Sequence, residues 1–221
     1  DRILATLYFV EENINYAYEH ASAIQQLIED IDLQTIVGQS LAVRSTHKRS
    51  REPVTILMGD AMEERNPYTG RVMLRRQETR KPEQMYAFGT FQPTETETAP
   101  KTYFIPAALT TVIERIEAHG IWVETLSAPR ELALETFRID STHVADQPFQ
   151  GRRERTLFGA YESVTKTLPA GTLIVPVDQS LGRLVFYLLE PRSDDGLVNW
   201  ALMDDALDGV RYYPILREPA N

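Results

Sequence analysis

The strongest constraint on the fold is an apolar stripe at the start of the chain. Ile14, Ala17, Ala21, Ile24, Ile28 and Ile31 follow one another at steps of three and four residues, the spacing of one helical face. Ile3, Leu4, Leu7 and Tyr8 precede them, and Phe9, Val10, Tyr16 and Leu27 widen the face. The pattern predicts one helix of about nine turns over residues 1–38, stopped at Gly38. A helix this apolar needs a large partner surface, supplied by the rest of these 221 residues or by polypeptide outside them. The chain begins Asp1-Arg2-Ile3, without an initiator Met or a leader, so a processed product or a piece of a longer protein is expected.

Charge and composition exclude more than they choose. The net charge of −9 argues against a nucleic-acid partner. Without cysteine there are no disulfides, thiolate metal sites or Cys nucleophiles. No run approaches the ~18–20 apolar residues of a membrane span. The charge is uneven, however: residues 44–81 carry a net +5, leaving −14 for the remainder. That asymmetry fits solvated strand faces or a patch docking on an acidic partner, and aromatic residues do not interleave with the charges as a nucleic-acid site would need.

Within the basic segment Val54–Met58 reads as a buried strand. Asn66-Pro67-Tyr68-Thr69-Gly70 is a turn leading into the strand Arg71–Arg75, and together they suggest a β-meander. Residues 92–100, polar and bounded by prolines, look like a linker or surface loop. Next come a strand (Tyr103–Pro106), an amphipathic helix (107–119, with Leu109, Val112, Ile113 and Ile116 on one face) and a strand (Ile121–Leu126). That order predicts a βαβ unit with parallel strands. Strands are further expected at 134–139, 157–164, 172–176 and 212–216, with helices at 181–189 and 196–207. The fold class is therefore α+β: a long N-terminal helix, a β-rich middle (39–99), and a mixed α/β C-terminal half (100–221) around the βαβ unit. Residues 39–221 can form one domain.

Catalytic motifs are absent from the sequence. None of His20, His47, His119 and His143 stands in His-x-x-Glu or His-Glu-x-x-His. In Asp140–Asp146 acids flank His143, but alternation along a strand would set residues three apart on opposite faces. Gly-x-Ser-x-Gly and Gly-rich phosphate loops are missing too. Asp194 and Asp195 precede the expected second helix and are read as its N-terminal caps. No catalytic and no metal-binding residue is assigned.

Three stretches of the tail, Pro169–Gln179, Gly182-Arg183-Leu184 and Leu189–Trp200, resemble the C-terminal region of large bacterial zinc carboxypeptidases of the carboxypeptidase A-like family. Leu189-Glu190-Pro191-Arg192-Ser193-Asp194-Asp195-Gly196 is the most specific of them. The opening Asp1–Thr6 resembles the last helix of that family's peptidase domain, and Tyr103–Gly120 fits the same post-catalytic region. The resemblance implies a zinc held by His-x-x-Glu and a distant His, with a Glu as general base and Arg residues on the substrate carboxylate. None of those motif positions has a counterpart here.

On this resemblance the chain is a non-catalytic accessory region that braces a peptidase domain or frames its cleft. It would carry no cofactor of its own, zinc belonging to the absent catalytic domain of the same precursor, which is the expected partner. A periplasmic or extracellular location is implied by the resemblance alone. Arg183, Arg192, Asp194, Asp195, Asn199 and Trp200 are the candidate interface residues, against a purely structural role as ion pairs and core. The competing function class is a free-standing module binding peptide, glycan or protein through the basic segment.

Overall fold

The computed structural model describes residues 2–220, and its architecture is α+β. Two compact units divide the chain: Asp1–Arg44 with Glu95–Asn221, and Ser45–Thr94. The N-terminal stripe forms two helices rather than one, α1 (Arg2–Glu19) and α2 (Ala21–Asp32). At His20 the backbone departs from helical angles (φ −108°, ψ 16°). Hydrogen bonds from His20 N to Tyr16 O and from Ile24 N to His20 O, both 3.0 Å, keep the helical spacing on either side. Histidine is a weak helix former, and no residue of either helix is buried, so tertiary packing does not override the preference. Gly38 (φ 78°) does not end a helix. It lies in a turn, where its N–H donates to Ala99 O at 2.9 Å.

The β-rich middle holds β1 (Ser40–Lys48), β2 (Val54–Met58), β3 (Ala61–Arg65), β4 (Val72–Arg76), β5 (Lys81–Met85) and β6 (Thr90–Thr98). Pairing is nested, β1 with β6, β2 with β5 and β3 with β4, so the expected meander is not formed. Asp60 explains why. Its carbonyl accepts Gln77 N–H (2.8 Å), its N–H donates to Thr79 Oγ1 (2.9 Å), and its carboxylate holds Lys81 Nζ (2.9 Å). The ribbon is thereby carried past Asp60 instead of reversing there. The expected turn at its end does form: Asn66 Oδ1 accepts from Tyr68 N (2.9 Å) and Thr69 N (3.0 Å), and Gly70 takes φ 68°. Val54–Met58 is a strand, but an exposed one, because a two-stranded ribbon has no second layer of its own to cover it. The segment 92–100 is also not a loop. It continues β6 to Thr98 and ends in buried Ala99 and Pro100.

The C-terminal half comprises β7 (Thr102–Ile105), α3 (Thr110–Ala118), β8 (Glu124–Thr125), β9 (Arg130–Val144), β10 (Arg155–Leu168), β11 (Leu173–Pro176), α4 (Gly182–Leu189), α5 (Asp204–Leu207) and β12 (Leu216–Glu218). Its sheet has the order β10-β9-β12-β7-β11-β8. β11 runs antiparallel to both β7 and β8, so those two are parallel, as a βαβ unit requires. They are not neighbours, because β11 has been inserted between them.

Alternation along the short strands sorts the core. Tyr103, Ile105 and Val175 point to one side, where α3 (Val112, Ile116) and α4 (Val185, Phe186, Leu189) pack. Phe104 and Leu216 point to the other, with Leu126, Leu134 and Leu168. α4 stops at Glu190, whose extended backbone (φ −68°, ψ 126°) is what the following Pro191 demands. The second helix expected at 196–207 shrinks to Asp204–Leu207 because Ala201 adopts left-handed φ (55°), which breaks helical continuation. Tyr212 makes only an isolated bridge to Arg138, and the last strand begins after Pro214, at Leu216.

Two glycines are fixed by close backbone approach. A Cβ on Gly159, at the register shift of the β9–β10 hairpin, would stand 1.8 Å from Arg138 O. One on Gly182 would stand 2.0 Å from Val177 O. Gly159→Ala and Gly182→Ala should each cost about 1–3 kcal/mol in urea unfolding, whereas Gly89→Ala, which faces open space, should stay within about 0.5 kcal/mol of the parent.

Candidate functional site

The residues singled out between Arg183 and Trp200 separate into different environments. Arg183 is exposed on α4. Arg192 is held inside an ion-pair network, with Nη2 on Glu97 Oε2 at 2.6 Å and Nη1 on Glu95 Oε2 at 3.2 Å. Asp194 accepts the Tyr187 hydroxyl; burial, reinforced by that bond, raises the Tyr187 pKa. Asp195 accepts Trp200 Nε1. Neither aspartate caps a helix, since none begins at Gly196. Asn199 is buried, and its carbonyl accepts Arg155 N at 3.1 Å. The structure thus joins Asp195 to Trp200 and sends Arg192 elsewhere.

Arg192 leads to a cluster with no local sequence signature. Arg217 on β12, only 5% exposed, donates through Nε to Glu135 Oε2 (2.8 Å), through Nη1 to Glu190 Oε1 (2.9 Å) and through Nη2 to Glu97 Oε1 (3.2 Å). Its guanidinium carbon lies 3.2 Å from the centroid of the Tyr161 ring, a cation–π contact. Glu190 is fully buried and accepts two further bonds, from Tyr103 OH (2.6 Å) and Tyr161 OH (3.0 Å). Arg44 extends the chain of charges by pairing with Glu95 at 3.5 Å. A cavity of about 630 Å³ opens beside this network, lined by Glu97, Glu135, Tyr161, Arg192 and Arg217 among others.

Burial sets the electrostatics here. It pushes the Glu190 carboxyl above its ordinary 4.5, against the opposing pull of Arg217 and the tyrosine hydroxyls. Burial, reinforced by Glu190, also lifts the Tyr103, Tyr161 and Tyr213 hydroxyls well above 10. Burial disfavours the Arg217 charge, but Tyr161, Glu190 and Glu97 more than offset it, so Arg217 stays a cation. Tyr103 and Tyr161 give their hydroxyls to Glu190, and Tyr213 gives its own to Leu189 O and Met203 Sδ, so each of the three hydroxyls is engaged. The one sequence hint was Glu190 itself, an acid closing the apolar run Leu188-Leu189.

The likeness to known proteins is partial. The proteins named "Carboxypeptidase 2" of Trichophyton rubrum, Trichophyton tonsurans and Trichophyton equinum are each 24% identical to the chain over 133 residues, covering 59% of it. The likeness is to carboxypeptidases. The chain spans about a quarter of the length of these curated relatives, the matched part being 24% of each. All three are fungal. No family model matches the chain, and no solved structure does.

The Arg217–Glu190 pair makes two testable demands. Arg217→Met leaves a buried carboxylate uncompensated and should cost about 3–5 kcal/mol, much of it recovered in Arg217→Met/Glu190→Leu, as urea unfolding of both will show. Because the folded-state pKa of Glu190 lies above its unfolded value, its contribution is fully present below about pH 4.5 and is lost as pH rises through the folded pKa. Glu190→Gln should remove that downward component from the stability–pH curve.

Proposed function

We propose that the chain is a non-catalytic accessory region of a secreted zinc metallocarboxypeptidase, bracing the catalytic domain of the same precursor or framing its cleft. The observation that carries the proposal is the uncovered state of the first two helices. Ile3 is 84% exposed and Phe9 70%, and Leu7, Ile14, Leu27, Ile28 and Ile31 are exposed as well. Apolar stripes of this length on α1 and α2 cost free energy in water and mark a surface made for a partner. The partial likeness to much longer carboxypeptidases supports a peptidase catalytic domain as that partner. Contact through α1 and α2 fits better than contact through 192–200, where Arg192 and Asn199 already serve the chain's own interior.

The residues present do not fit a catalytic zinc. His20 joins α1 to α2, His47 is on β1, His119 follows α3 and His143 is on β9. Among the described residues no three His, Asp or Glu side chains converge as metal ligands. No step through a metal is therefore assigned to this chain. Among the described residues no helix is long and apolar enough to cross a membrane. The alternative of a free-standing binding module draws on the ribbon 45–94, which exposes Leu57, Tyr68 and Leu74 among its arginines.

The test mixes the 221-residue chain with the separately produced catalytic domain of its precursor. Calorimetry should show a stable complex, and the chain alone should not release C-terminal residues from peptides. Leu7→Asp/Ile14→Asp/Ile24→Asp should weaken the complex at least tenfold with unchanged circular dichroism, since none of the three is buried. Chelator-sensitive turnover by the chain alone, or no association, overturns the proposal.

A further inference from the structure

A second cavity, of about 420 Å³, lies where α3, α4 and the 195–202 turns meet, within the size range of small-molecule sites. Arg115 and His119 from the end of α3, Arg152 from the β9–β10 hairpin, and Trp200 line it over a floor that includes Leu184 and Leu202. We propose that this cavity binds a small anion carrying an apolar ring, with Arg115 and Arg152 on the oxyanion and the ring against Trp200.

The charge pattern is the first argument. Among the described residues Arg115 and Arg152 have no carboxylate partner, and both open onto this cavity although the chain carries −9 overall. The cavity's single carboxylate, Asp195, is already engaged by Trp200 Nε1. A neutral indole donor leaves the carboxylate's charge in place, so two guanidinium groups face one carboxylate and the lining keeps a net positive charge that favours an anion. Guanidinium groups left in this state match a carboxylate, sulfate or phosphate.

The second argument is preorganisation. Besides the bond to Asp195, Trp200 donates its N–H to Gly196 O (3.0 Å) and accepts Arg152 Nη1 on its carbonyl (3.3 Å). Phe149 flanks the indole at 6.3 Å between ring centroids. Arg152 is presented by a two-residue turn closed by reciprocal bonds with Phe149, at 2.8 and 3.0 Å. Among the described residues the non-glycine positions with left-handed φ are Gln150 (49°) and Ala201 (55°). The first stands in the Arg152 turn and the second directly follows Trp200. The leucine floor and the scarcity of free neutral hydrogen-bonding groups favour an apolar ring over a sugar or a bare inorganic anion.

The experiment uses the whole chain with Trp122→Phe, leaving Trp200 as the only fluorophore of its type. Benzoate and phenyl phosphate are titrated, with inorganic phosphate and benzyl alcohol as anion-only and ring-only controls. Saturable quenching of Trp200 by either aryl anion, weakened by NaCl and roughly tenfold by Arg115→Gln or by Arg152→Gln, supports the site. Which aryl anion binds more tightly then names the oxyanion. Quenching by neither, equal binding of inorganic phosphate or benzyl alcohol, or indifference to both arginine substitutions overturns it. Circular dichroism of each variant separates lost binding from lost fold.

Discussion

The folded C-terminal half depends on a fully buried carboxylate meeting a nearly buried guanidinium. Glu190 ends α4, Arg217 sits on the central strand β12, and between them they gather Tyr103 of β7, Tyr161 of β10, Glu135 of β9 and Glu97 of β6. Each group alone would be costly to desolvate; together every oxygen of Glu190 finds a donor. Such a network is a weak source of net stability but a strong selector of arrangement. A shifted β12 would strand charges in the core, and this fixes where the last strand enters the sheet.

Away from that network the molecule leaves much apolar surface open. No residue of α1 or α2 is buried, and every residue of β2 and β4 is exposed. The first feature is what the proposed accessory role draws on, the second what its alternative draws on. The cavity around Trp200 is of another kind, a pocket whose lining the chain supplies by itself.

The candidate interface residues show how local reading and tertiary placement diverge. Asp194 and Asp195 beside a glycine looked like helix caps, but Ala201 breaks the helix they would have capped, and they bind Tyr187 and Trp200 instead. Residues 92–100 looked like a linker because they are polar, bounded by prolines and without apolar anchors. Glu95 and Glu97 meet Arg192, which lies 97 and 95 positions further on, respectively.

Periodicity and punctuation determined the α+β class, the helices at 2–32, 110–118 and 182–189, the Asn66–Gly70 turn and the parallel sense of β7 and β8. These follow from forces acting within a few residues: side-chain spacing, glycine in left-handed turns, and proline after a helix end. Only the tertiary structure decided that β11 enters between β7 and β8, that the ribbon strands are nested, and that Arg217 reaches four elements. Strand neighbours and buried ion pairs are settled by which distant groups desolvate together, and no short window of sequence contains both partners.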